Sequence, residues 1–239
     1  MRREADPHAD VDVLRRRLIG AAGIVTAGAI VPAWAAERVA TPPQMRGPFY
    51  PIEFPLDQDN DLTRVKGRDG VAHGELTDVT GRVLDLDGRP LAGVRLEIWQ
   101  VNGYGRYHHA GDASDLPIDP NFQGYGTATT DAQGAYRFRT VKPVAYPGRA
   151  PHVHFELSRQ DFGRFTTQMY VAGAPENERD FLLSRIADGR TREALVVPLE
   201  RPAGAGALSG RFDIVLGSGA LERSRGSVPA VHRTARLGL

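Results

Sequence analysis

The sequence predicts an all-β fold, a β-sandwich of mixed topology with a long N-terminal arm, irregular loops and one short helix. Three observations carry this. From Leu76 onward, short runs rich in Val, Leu, Ile and Phe alternate with turn clusters such as Asp85-Leu86-Asp87-Gly88 and Asp131-Ala132-Gln133-Gly134, the punctuation of short strands. Their spacing is that of a sandwich or barrel. The 239 residues, 41% apolar and 25% charged, suffice for one globular domain with ends to spare.

Along the chain, Arg15-Arg16-Arg17, the uncharged Ala/Gly-rich stretch Leu18 to Val31 and the small-residue site Ala33-Trp34-Ala35 read as an export signal. Residues 1–35 are therefore set outside the fold, and a periplasmic or extracellular location is expected. The arginines followed by Leu18 and Ile19 resemble a twin-arginine signal, with Leu14 where that motif usually carries Ser or Thr. Contact with a membrane is expected only through an uncleaved signal, because Ala and Gly make the stretch weakly apolar. Residues 36–75 follow as an extended arm: Thr41-Pro42-Pro43-Gln44 and Gly47-Pro48-Phe49-Tyr50-Pro51 lead into a polar, acidic stretch with little periodicity. The sandwich spans 76–217, with strands expected near 77–85, 93–100, 124–130, 135–140, 151–158, 165–171, 194–199 and 211–216. Glu176 to Ala187 reads as the helix, since Phe181, Leu182, Arg185 and Ile186 form a partial apolar stripe and Gly189 offers a stop. Residues 218–239, rich in Ser, Gly and Arg, are expected to be a mobile tail.

The formal net charge of +1 supplies no field for phosphate binding, which argues against nucleic acid as a partner. Cysteine is absent. That removes disulfides, thiolate metal sites and a cysteine nucleophile, and leaves His, Tyr, Asp and Glu as metal ligands.

Chemistry concentrates at His152-Val153-His154, because residues two apart on a strand share a face and can present both imidazoles to one ion. Just before this pair, Tyr146-Pro147-Gly148-Arg149 offers a phenol and a cation, and Gly105-Arg106-Tyr107 offers a second phenol. Taken singly, each has a bland reading. A lone His-x-His is more often sheet surface, Tyr146 and Tyr107 are natural packing residues, and Arg149 is a solvated charge. His108 and His109 compete as ligands, but on a strand adjacent residues face opposite ways, so at most one would reach the site. If two imidazoles and two phenolates do share an ion, that ion must be strongly acidic, because tyrosine ordinarily holds its proton to a pKa of about 10. Oxygen-anion donors then favour ferric iron over zinc, copper or ferrous iron. A trivalent ion with two phenolates and one hydroxide is also neutral, which avoids burying net charge.

Long stretches of the chain resemble the intradiol ring-cleavage dioxygenases, especially the β subunits of protocatechuate 3,4-dioxygenases. The similarity runs through Val79-Thr80-Gly81 to Gly88, Leu91, Leu96-Glu97-Ile98-Trp99-Gln100 and Gly105-Arg106-Tyr107. It continues in Asp119-Pro120-Asn121-Phe122, Tyr136-Arg137-Phe138-Arg139-Thr140, Arg149 through Phe155 and Thr167-Gln168-Met169-Tyr170, covering most of residues 41–217. The resemblance implies a mononuclear non-haem Fe(III) centre with Tyr107, Tyr146, His152 and His154 as ligands. It makes Tyr146 the axial phenolate that leaves when substrate arrives, and gives Arg149 and Gln168 supporting catalytic roles. It further implies an aromatic ortho-diol and dioxygen as substrates and ring opening between the hydroxylated carbons. Assembly as a homo-oligomer or beside a related subunit is compatible with it.

One departure concerns substrate. The protocatechuate enzymes carry a longer segment, beginning with Trp, between the second tyrosine and the arginine, whereas here only Pro147 and Gly148 intervene; a more open mouth is expected. Export is a second departure from cytoplasmic relatives. Two rivals remain: a secreted noncatalytic prealbumin-like binding module, which shares the strand and turn motifs around Gly81 and Gly134 but has no use for the His, Tyr and Arg constellation, and a cupin-like site built on His152, His154 and Glu156.

Overall fold

The computed structural model describes residues 38–55 and 57–222, all within one compact unit, Glu37–Leu239. The expected export signal and the tail beyond 222 lie outside the described residues. Two mixed sheets make the fold. Strand β1 (Leu76–Asp85) pairs antiparallel with β4 (Ala135–Val141) on one side and parallel with β8 (Leu208–Arg211) and then β9 (Ile214–Leu216) on the other. The second sheet runs β3 (Tyr125–Thr129), β2 (Arg95–Trp99), β5 (His152–Arg159), β6 (Gly163–Val171), β7 (Val196–Val197), antiparallel except for the last pairing.

Alternation on β5 divides the chemistry from the core. Val153, Phe155 and Leu157 are fully buried between the sheets, with Val79, Leu96, Ile98, Phe138, Met169 and Phe212 in the same cluster. His152, His154 and Glu156 therefore point to the other face. Strand register sets Trp99 and Gln168 on either side of His154 and Tyr125 beyond Trp99, so one continuous row crosses that face.

The arm covers this second face. Gln44 N–H donates to the Thr166 carbonyl at 2.8 Å, and Gln168 Nε2 donates to the Met45 carbonyl at 3.0 Å. Burying polar strand residues requires such partners, and the arm supplies them from backbone as well as side chain.

Four expectations need correction. The strand expected at 211–216 is two strands, because the ladder to β1 is interrupted at 212–213, where the Phe212 carbonyl accepts the Tyr136 hydroxyl at 2.5 Å and the Arg82 N–H donates to Asp213 Oδ1 at 2.9 Å. The strand near 194–199 shrinks to two residues. The helix over 176–187 does not form: a 3-10 turn at Pro175–Glu178 gives way to separate turns, and a short helix α1 begins at Gly189 and runs to Glu193. Asp180 is the cause, since its Oδ1 accepts the N–H groups of Leu182 and Leu183 at 3.0 Å each, giving the backbone a local alternative to a helix ladder. Asp188 caps the next helix, its Oδ2 accepting the Thr191 N–H at 2.7 Å, so Gly189, expected as a stop, instead opens α1. Finally, the first residues assigned to the tail form one helical turn, α2 (Ser218–Glu222), with Ala220 in the core.

Gly81 lies in β1 where the backbone between β8 and β9 approaches it closely. A Cβ there would overlap the Phe212 carbonyl oxygen and lie 2.8 Å from the Tyr136 hydroxyl. Because backbone blocks the space, Gly81→Ala is expected to destabilise by at least roughly 1–3 kcal/mol, the scale of overpacking. A wild-type urea midpoint for this variant would contradict the packing described.

Candidate metal centre

Tight local structure delivers the two tyrosines. Tyr107 follows a turn in which Asn102 Oδ1 accepts the N–H groups of Tyr104 and Arg106 at 2.9 and 3.1 Å. Gly105 takes φ 94° there, a conformation that side chains disfavour. Asp112 Oδ2 then accepts the Tyr107 N–H at 2.7 Å, and Phe49 of the arm stacks on the Tyr107 ring at 4.6 Å. Tyr146 opens a four-residue turn: Arg149 N–H donates to the Tyr146 carbonyl at 2.9 Å, with Pro147 and then Gly148 at φ 80° between. Proline followed by a positive-φ glycine is the pattern of a type II turn. Its consequence is to hold Tyr146 and Arg149 together at the start of β5.

The predicted ligands converge. His154 Nε2 lies 3.1 Å from Tyr107 Oη and 3.2 Å from His152 Nε2, and Tyr107 Oη is 3.4 Å from His152 Nε2. The Tyr146 ring packs 5.7 Å from that of Tyr107 and 5.5 Å from that of His152, centroid to centroid. Donors roughly 2.1 Å from a shared ion at angles of 90–110° would sit about 3.0–3.4 Å apart, so the three closest atoms have the spacing of a ligand set. His152 Nδ1 donates to the Ala150 carbonyl at 2.6 Å, which leaves Nε2 as the free lone pair. His154 stacks flat on Trp99, 4.7 Å away.

Electrostatics favour ligation. Burial, helped by Arg149, pushes the His152 imidazole down to about 3, and burial with neighbouring His152 pushes His154 well below its ordinary value. Both rings are therefore neutral and able to donate. Burial and then adjacent Tyr146 push the Tyr107 phenol well above its usual range, so it loses its proton only to a strongly Lewis-acidic cation. Among the described residues no group of three or more His, Cys, Asp or Glu side chains is arranged to hold a metal; a metal here depends on the phenols.

Beside these donors opens a cleft of about 400 Å³ lined by Tyr146, Gly148, Arg149, Pro175, Glu176, Arg179 and Asp180. Arg149 is 8% exposed. Its Nε donates to Asp180 Oδ2 at 2.8 Å, and one terminal nitrogen, Nη2, donates to Gln168 Oε1 at 2.5 Å and Tyr170 Oη at 3.2 Å. Burial opposes the charge on Arg149, but the Asp180 hydrogen bond and nearby Tyr170 outweigh it and raise its pKa. The sequence reading of Arg149 as a solvated charge is thus excluded by geometry.

Other candidates fall away. His108 and His109 lie in a loop, so strand alternation does not govern them; His108 is exposed beside Phe122, and His109 accepts the Gly111 N–H. Glu156, required by the cupin-like reading, is engaged by Arg46 at 2.9 Å and Arg164 at 3.0 Å. Asp180 was missed by sequence reasoning, because its acid group sat inside an expected helix; the only available signal was an Asp opening an apolar run, an N-cap pattern.

Comparisons with known proteins bear on the family. The family model described as Dioxygenase matches residues 45–218. The protocatechuate 3,4-dioxygenase beta chain of Burkholderia cepacia is 42% identical over 71% of this chain and 76% of its own length. Catechol 1,2-dioxygenase 2 of Acinetobacter lwoffii is 32% identical over 65% of this chain, which spans 58% of that enzyme. Among solved structures, the dioxygenase domain of a dioxygenase carbohydrate-binding fusion from Streptomyces sp. SirexAA-E superposes with TM-score 0.59 at 29% identity, covering 75% of this chain and 99% of that one. Catechol 1,2-dioxygenase from Acinetobacter sp. ADP1 gives 0.57 at 27% identity, covering 74% and 63%. Match length, identity and shared sandwich together place the chain in the intradiol ring-cleavage dioxygenase family.

Proposed function

We propose that this protein is a non-haem Fe(III) dioxygenase that opens the ring of a catechol-type aryl diol between its two hydroxylated carbons. Both atoms of dioxygen enter the product, a muconate-type diacid, so atoms balance without a further reductant. The supporting observation is the convergence of two neutral imidazoles with a buried phenol oxygen, all within 3.4 Å of one another. Tyr107 Oη, Tyr146 Oη and the Nε2 atoms of His152 and His154 would hold the iron. When bound, ferric iron supplies the Lewis acidity that favours phenolate and diolate over their protonated forms.

The remaining work falls to the chain. Tyr146, half-buried at the cleft, is placed to take a diol proton at its Oη. Arg149 brings a fixed positive charge to the cleft wall, where a diolate ring gathers negative charge. Gln168, held by Met45 through its amide N–H, fixes one side of the guanidinium. Phe49 and Trp99 pack against Tyr107 and His154 and keep water from that side of the donors.

With only Pro147 and Gly148 between Tyr146 and Arg149, nothing from that turn roofs the cleft, and a Cβ on Gly148 would meet no atom within 4 Å. Purified protein is therefore expected to consume oxygen with catechol, protocatechuate, hydroxyquinol and larger aryl diols, one mole per mole of diol. Strict preference for protocatechuate would contradict the open mouth. Iron-loaded protein that stays colourless and consumes no oxygen would support the prealbumin-like binding module instead. Export to the periplasm or beyond rests on Arg15 to Ala35 and is checked by fractionating cells that carry the full chain.

A further inference from the structure

Asp180 lies outside the ligand set and the supporting pair, yet it is more deeply buried than any other carboxylate among the described residues, at 1% exposure. Each of its oxygens takes two donors. Oδ2 accepts Arg149 Nε at 2.8 Å and the Ala150 N–H at 2.9 Å, while Oδ1 accepts the N–H groups of Leu182 and Leu183. The carboxylate is therefore immobile, pinned by backbone on both sides. Arg149 meets it with Nε and meets Gln168 and Tyr170 with Nη2, which uses one edge of the guanidinium, and the same residue lines the cleft.

Ala150 links the same carboxylate to the metal ligands. Its N–H is held by Asp180, and its carbonyl accepts His152 Nδ1 at 2.6 Å. One acid group thus ties the first turn after the 3-10 segment to both the guanidinium and the backbone that orients His152.

We propose that Asp180 is a positioning residue that aims the Arg149 guanidinium at the ring of a bound aryl diol, acting through Arg149 rather than on the substrate. The proposal rests on the dioxygenase reading above. A rigid partner matters because a charge stabilises a reacting ring only where it is preorganised, and a long side chain left to itself samples many rotamers.

The test compares iron-loaded wild type, Asp180→Asn, Arg149→Gln and the double variant. Asp180→Asn is expected to lower kcat roughly 10–100-fold, the usual effect of removing an outer partner. KM and diol affinity, titrated without oxygen and read from the visible spectrum, stay within about threefold, and iron content is unchanged. Combined with Arg149→Gln, Asp180→Asn is expected to cause no further loss, because its route to the ring through Arg149 has already gone while the Asn side-chain oxygen can still accept the Ala150 N–H. The single change Asp180→Asn leaves a buried cation unpaired, whereas the double variant removes both charges; comparing Arg149→Gln with the double variant decides the matter even where the single variant does not fold. Wild-type kcat in Asp180→Asn, or a further tenfold loss in the double variant, would overturn the proposal. Absence of oxygen uptake by wild type with every diol tested is a different failure, that of the dioxygenase reading itself.

Discussion

Tyr107→Phe is expected to yield a protein that folds, purifies with little iron and lacks the red-brown colour of tyrosinate bound to ferric iron. The change removes one oxygen atom from a ring that is 3% exposed and stacked on Phe49, so packing is conserved while the donor 3.1 Å from His154 Nε2 disappears. Two neutral imidazoles and Tyr146 would remain, a set with less negative charge and less preference for a hard trivalent ion. Turnover of aryl diols should fall by roughly 10²–10³-fold or more, the scale on which loss of a principal electrostatic stabiliser acts. His152→Ala should behave alike for a separate reason, because it deletes a proposed ligand whose ring orientation Ala150 fixes. Iron content and the visible spectrum, read beside thermal melting, are the measurements. Full iron in both variants would disprove the ligand assignment.

Phe155→Ala, one residue from His154, should do the opposite: leave the donors in place and weaken the scaffold. Phe155 is fully buried and packs edge-on against Phe212 at 5.2 Å, Tyr136 at 6.0 Å and Phe138 at 6.3 Å, joining the two sheets. Truncation opens a cavity that these rings cannot close, costing about 3–5 kcal/mol. For a domain of this size that lowers Tm by roughly 6–20 °C. Iron bound per folded protein should stay near wild type, since Phe155 faces away from the site. Loss of metal at temperatures where the variant remains folded would show that the two faces of β5 are not independent.

The contrast between these neighbours explains why so much was legible in the residues. Strand periodicity is local, so His152 and His154 read as sharing one face from spacing alone, and the structure buries the alternate residues Val153, Phe155 and Leu157 in the core. Turn chemistry is local too: Pro147 and Gly148 specify a reversal that must bring Tyr146 close to Arg149. The resemblance to intradiol dioxygenases added the pairing of Tyr107 with Tyr146, which no spacing rule joins. The helix over 176–187 failed because its apolar stripe competed with Asp180, whose carboxylate hydrogen-bonds the backbone at short range.

Type and order of residues were thus sufficient for the all-β class and the family, because each depends on short-range periodicity or on matching motifs. Packing at long range settled what the string of letters left open. Arg149 could be a solvated charge until Asp180, Gln168 and Tyr170, from 19 to 31 residues away, enclosed it. The arm could be an open loop until Gln44, Met45 and Phe49 met Tyr170, Gln168 and Tyr107. A charged or polar group takes its state from everything that surrounds it, and those neighbours are assembled only when distant segments fold against one another.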